Sequence, residues 1–112
     1  MSKDPDKLGI FVTNPQNTTW QHLMKIVEAA QRAGKKVKIF FTFKSVHLTK
    51  QPDFPKLVQM VPEADLAICA DSYTCEGFDV ETDIPGGMTP KQMRTQAYHG
   101  EILDECGKYL VL

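Results

Sequence analysis

The chain is poor in cysteine: Cys69, Cys75 and Cys106 are its only three in 112 residues. So small and odd a number argues against a secreted scaffold held by disulfides, and it leaves free thiols to be explained. The three histidines (His22, His47, His99) and the cysteines form no Cys-x-x-Cys or His-x-x-x-His pair, so zinc is weakly supported. A tyrosine phosphatase loop would place an arginine six residues after the cysteine, where Cys75 stands. The glycine-rich loop of a nucleotide site is missing. No apolar run approaches the ~20 residues of a spanning helix. The start, Met1-Ser2-Lys3-Asp4-Pro5-Asp6-Lys7, lacks the apolar stretch of a signal peptide, so a cytoplasmic location is expected. Thirteen Lys and Arg against 14 Asp and Glu give a net charge of −1, which speaks against nucleic-acid binding through overall basicity.

What remains is a globular composition, 42% hydrophobic and 24% charged, at the length of one domain. Residues 1–7 read as a frayed tail and 8–112 as a single domain. Leu8-Gly9-Ile10-Phe11-Val12-Thr13 is a short β-prone run that ends in turn formers. Thr18-Thr19-Trp20-Gln21 has the form of a capping box and opens a helix that Gly34 closes. Val37 to Phe43 is a second strand, and Lys56 to Val61 a short helix stopped by Pro62. Ala64 to Ala70 is a third strand, followed by a short helix from Ser72 to Phe78. Thr89-Pro90-Lys91-Gln92 is the best helix start in the chain, predicting one helix to about Cys106, with Tyr109 to Leu112 as the last strand. Strands alternating with helices predict an α/β fold with a mostly parallel sheet covered on both faces. Trp20, Phe40, Phe41 and Phe43, with Met88, Met93 and Tyr98, are expected in the core or at a subunit interface.

Ligands of such sheets lie beyond the carboxyl ends of the strands. That places a candidate site among Thr13 to Thr18, Thr42 to Thr49, and Cys69 to Gly77. Cys69 ends the third strand just before a helix, whose free N–H groups and partial positive charge favour thiolate, the nucleophile and sulfur carrier. A buried packing role stays open beside it. Asp71 and Glu76 oppose the helix, since negative charge nearby disfavours a thiolate. No Lys or Arg lies between Lys56 and Lys91, so a compensating charge must come from another loop or subunit. Ser72 follows Asp71 at the predicted helix start. Cys75 is a candidate resolving thiol or a bystander, and Cys106 is expected in packing. His47 and Lys44 follow the second strand, and His47 is a candidate neighbour of the thiolate. Thr13, Asn14, Pro15 and Thr18 are a candidate small-anion site at the first helix.

Three stretches resemble the DsrE/DsrF-like proteins, which include sulfur-relay subunits of the TusBCD type and YchN-like proteins. Ile68-Cys69-Ala70-Asp71-Ser72-Tyr73-Thr74-Cys75-Glu76-Gly77-Phe78 looks like the family's strand-end cysteine followed eight residues later by glycine and an apolar residue. Val37 to Phe43 is similar to its second strand, and Ala29 to Val37 to the passage before it. The resemblance implies a flavodoxin-like three-layer sandwich, assembled as trimers or hexamers. It also implies that Cys69 holds a persulfide taken from a sulfur-donor protein and passed to a sulfur-acceptor protein, with no cofactor. The chain differs in carrying Cys75 and Glu76 where sulfur-relay members often have arginines. Two other functions remain open at this point: a non-catalytic oligomeric subunit or small-ligand module, and a thiol redox sensor using Cys69 and Cys75.

Overall fold

The computed structural model describes residues 3–112. Among these residues five strands form one sheet: β1 (Asp4–Val12), β2 (Lys36–Phe41), β3 (Leu66–Cys69), β4 (Met93–Arg94) and β5 (Cys106–Val111). Their order is β4-β3-β2-β1-β5 and every pairing is parallel. Four helices, α1 (Asn17–Arg32), α2 (Phe54–Met60), α3 (Ala70–Cys75) and α4 (Ala97–Glu105), cover its two faces. The α/β class and the mostly parallel sheet expected from the sequence are therefore observed, in a form compatible with a flavodoxin-like sandwich.

The side chains of the strands sort the helices. Ile10, Val12, Ile39, Phe41, Leu66 and Ile68 pack against Trp20, Leu23 and Val27 of α1, Leu57 of α2 and Tyr73 of α3. The alternate residues Phe11, Phe40, Ala67 and Cys69 pack against Tyr98 and Ile102 of α4. Every connection from β1 to β4 thus crosses one face, and α4 alone returns across the other to reach β5. Gly9 has to be small on that second face, because a Cβ there would run into Ile102.

The central strand carries one buried charge on the α4 face. Lys38 is 3% exposed, and its Nζ lies 3.3 Å from Glu105, 3.7 Å from Asp65 and 3.9 Å from Glu101. Lys7 joins the same carboxylates, at 2.8 Å from Asp65 and 3.2 Å from Glu105. Burial works against the ionised Glu105 carboxyl, but hydrogen bonds from Lys7 and Lys38 hold it below its usual range.

Several boundaries differ from expectation. Residues 4–7, expected in a loose tail, are the start of β1, where Lys7 and Asp65 anchor the strand; residues 1 and 2 of that tail lie outside the described residues. The capping box at Thr89 is present, with the Thr89 N–H donating to Gln92 Oε1 at 2.9 Å. It opens only a single 3-10 turn, Pro90–Gln92, and not a helix to Cys106. Gln92 is buried and donates to the Leu66 carbonyl at 3.0 Å, which turns Met93–Arg94 alongside β3 as a strand. The first helix begins at Asn17 without using Thr18 as its cap, and it ends as expected at Gly34, whose φ is +72°. Phe43, expected in the core or at a subunit interface, is not in the core: it is 61% exposed with a φ of +53°.

Candidate functional site

Connections leave β3 and β4 on opposite faces: α3 after β3 on one, α4 after β4 on the other. Adjacent parallel strands that part in this way open a crevice at their carboxyl ends. Cys69 is the last residue of β3, paired in register with Arg94 of β4. The sequence placed a site at the strand ends, and the topology narrows it to this gap.

A cavity of about 510 Å³ lies there, lined by Phe43, Lys44, Cys69, Asp71, Ser72, Cys75, Glu76 and Gln96. Cys69 is 1% exposed and forms its floor. The backbone at Cys69 is extended (φ −68°, ψ 114°) and stands as the N-cap of α3. α3 is only six residues long, so first-turn amides rather than a long macrodipole face the crevice.

The donor that reaches the sulfur is a side chain. Gln96 Nε2 lies 3.3 Å from Cys69 Sγ and 2.9 Å from Thr42 Oγ1, so its two N–H groups serve both atoms. Thr42 is fully buried at the end of β2, and its hydroxyl also meets Ser72 Oγ at 3.3 Å. Ser72 Oγ accepts the Phe43 N–H at 2.8 Å, which ties the loop after β2 to the start of α3. Three strand ends thereby converge on one sulfur.

The charges are placed as follows. Asp71 and Glu76 line the cavity, as their sequence positions implied. Lys44, from the 3-10 segment Phe43–Lys50 after β2, lines it too and is the positive charge from another loop. His47 is not among the lining residues. Its Nε2 meets Glu76 Oε1 at 2.9 Å and its ring packs edge-on to Phe78, 5.1 Å between centroids. It acts on the crevice only through Glu76.

Cys75 is exposed and lines the same cavity as Cys69, whereas Cys106 is buried beneath α4 with its thiol pushed up by burial. Ser72 proves to be a tether between loops. The candidate anion site at α1 is taken up by the fold: Thr13 Oγ1 donates to the Leu112 carbonyl at 2.9 Å and Asn14 Oδ1 accepts the Gln16 N–H at 2.8 Å. Among the described residues no three His, Cys, Asp or Glu side chains stand together as a metal site would need. No helix is long and apolar enough to cross a membrane.

Comparison with protein-family models, curated proteins and solved structures finds no match. The site therefore rests on its own geometry.

Gln96 is the residue that sequence reasoning missed, because the expected helix ran through it. A signal was present in Thr95: its hydroxyl accepts the Ala97 N–H at 3.3 Å and its carbonyl the Tyr98 N–H at 3.0 Å, marking a second helix start.

Proposed function

We propose that this protein is a cytoplasmic, homo-oligomeric sulfur carrier in which Cys69 takes sulfur from a donor protein's persulfide and gives it to an acceptor thiol. The observation that carries the reading is the Cys69 sulfur on the floor of the β3/β4 crevice, with the Gln96 amide aimed at it. The resemblance of Ile68 to Phe78 to the DsrE/DsrF-like cysteine segment supports the same assignment.

The chemistry is a pair of displacements with no net oxidation. Cys69 thiolate attacks the outer sulfur of the donor persulfide, the donor's S–S bond breaks, and the donor leaves as thiolate, which takes up a proton. Cys69 then bears the S–S bond. An acceptor thiolate attacks the outer sulfur and Cys69 leaves as thiolate. In both steps negative charge sits on Cys69 Sγ, where the amide donor of Gln96 can hold it. Exposed Phe43 and Lys44 at the rim are the groups an incoming partner meets first.

Incubation of the protein with a persulfide donor is expected to add about 32 Da, one sulfur atom, to wild type and not to Cys69→Ser. Equal mass gain in the Cys69→Ser protein removes the proposal. A second reading is favoured by Cys75 lining the same cavity: peroxide oxidises Cys69 to sulfenic acid, and Cys75 thiolate displaces hydroxide from it to form a disulfide. A peptide map after peroxide treatment that shows a Cys69–Cys75 crosslink, with no sulfur uptake by wild type, would favour it.

A further inference from the structure

The two edges of the sheet are unlike. β4 closes one side with two residues, too short to offer a neighbouring chain a ladder. β5 closes the other with six, and Gly107 to Val111 are all exposed. Leu112 donates its N–H to the Phe11 carbonyl at 2.9 Å and accepts the Thr13 N–H at 2.7 Å. Alternation along the strand then turns Lys108 and Leu110 toward β1 and leaves the N–H and C=O groups of Gly107, Tyr109 and Val111 pointing outward. The guards of this open edge are few: one lysine, Lys108, and a register irregularity against β1 between Cys106 and Lys108. No proline interrupts the strand, and its register with β1 is regular from Lys108 to Val111.

The side chains of this edge are apolar on the α4 face and mixed on the other, where Lys108 accompanies Leu110. Register with Gly9 and Phe11 puts Tyr109 and Val111 on the α4 face, 48% and 60% exposed, with exposed Leu103 on α4 itself. On the opposite face Leu110 is exposed. The ring of His99 lies tilted against that of Phe11, 4.0 Å between centroids, beside Tyr109, and its buried Nε2 finds no hydrogen-bond partner among the described residues.

We propose that β5 pairs antiparallel with β5 of a second copy of this chain about a two-fold axis, joining two five-stranded sheets into one. A closed two-fold is how the chain can pair with itself through this strand, because β4 is too short to receive it head to tail. With Leu110 on the axis, Tyr109 stands opposite Val111 of the partner subunit, and that pair exchanges both outward main-chain hydrogen bonds, twice over. An aromatic facing a β-branched residue is a stabilising cross-strand pair. Lys108 stands opposite Leu112 of the partner subunit, so no like charges meet. The axis keeps the two α4 faces on one side, where Tyr109 and Val111 of both copies form a continuous apolar surface. Such a strand pair falls at the small end of stable interfaces, on the order of 1,000 Å² in total, so association is sought across the micromolar range. β5 lies three strands from β3, so both Cys69 crevices stay open and the proposal does not depend on the sulfur chemistry.

Sedimentation of the full chain from ~1 to ~100 μM tests this. Wild type is expected to gain particles at twice the 12.6 kDa chain mass, or an even multiple of it, as concentration rises. Val111→Pro removes an outward N–H while sparing the ladder to β1, and it is expected to halve the particle mass with an unchanged circular dichroism spectrum. Val111→Lys serves as a second variant should the proline disturb folding. In a Cys75→Ser background, Leu110→Cys is expected to crosslink two chains on mild oxidation. A wild type that stays monomeric at ~100 μM overturns the proposal, as does an assembly whose mass neither Val111 variant changes.

Discussion

The sulfur of Cys69 has its donor on another strand end, so the informative perturbation is Gln96→Leu, which keeps an apolar side chain one atom shorter and removes both N–H groups. A hydrogen bond to a charged acceptor contributes about 1.5–3 kcal/mol when well made and buried. The bond from Gln96 to Sγ is long, 3.3 Å, and Gln96 is largely exposed, which lowers the figure to roughly 1–1.5 kcal/mol. A factor of ten corresponds to about 1.4 kcal/mol, so a reaction that needs the thiolate should slow by about five- to tenfold. Thr42 Oγ1 keeps its contact with Ser72, so the fold should lose no more than about 1 kcal/mol. The assay is iodoacetamide alkylation at neutral pH in a Cys75→Ser background, read at the Cys69 peptide by mass. Gln96→Glu, which sets a carboxylate against the sulfur, should slow the reaction further still. Should Gln96→Leu react as fast as the parent or faster, the amide does not support the thiolate and the reasoning fails.

Three other outcomes follow from the same structure. Lys38→Met retains the apolar stem, and the Ala64 carbonyl keeps its bond from Tyr98 Oη at 2.7 Å, so urea denaturation should show a loss of about 1–2 kcal/mol; Lys38→Ala adds a cavity and should lose about 2 kcal/mol more. Equal losses would mean that charge alone matters there. Phe43 holds a left-handed backbone with little burial, so Phe43→Gly should keep or raise stability by up to about 1 kcal/mol in a thermal melt while slowing sulfur transfer to a protein acceptor; a marked fall in melting temperature would refute the strain argument. The Glu105 carboxyl is held below its usual range, so its contribution is present above the unfolded value of about 4.3 and is lost as pH falls through the lower folded value. Glu105→Gln should therefore flatten the fall of stability between about pH 5 and pH 3, which melts across that range would show.

The sequence shows the fold where local signals and burial agree. β2 and β3 are near-continuous apolar runs because both their faces are covered, and Gly34 marks the end of α1 because its φ of +72° suits glycine. It hides β4, since two residues, Met93 and Arg94, have no period to read and owe their strand form to the buried Gln92 amide. The loop after β2 misleads for a related reason. Phe43 looks like core by composition, yet the turn over Thr42 directs it to solvent. Within the site, Cys69, Asp71, Ser72 and Cys75 follow from their place beyond a strand. Lys44 follows likewise from its place after the second strand, whereas Gln96 arrives from beyond β4, where the expected long helix concealed the second helix start at Thr95.

The shortness of β4 has a further consequence for the crevice. A two-residue ladder is among the first parts of a sheet to open locally, on a scale well below global unfolding. The amide over Cys69 thus follows two residues after the shortest strand, while the sulfur itself is buried at the end of β3. Adding one sulfur extends the side chain by about 2.05 Å, the length of an S–S bond, into space that the Gln96 amide borders. In the proposed sulfur transfer, breathing of residues 93–96 would let that amide retreat and settle again on the outer atom. Amide exchange at Met93 and Arg94 would then report how freely the crevice beside Cys69 opens.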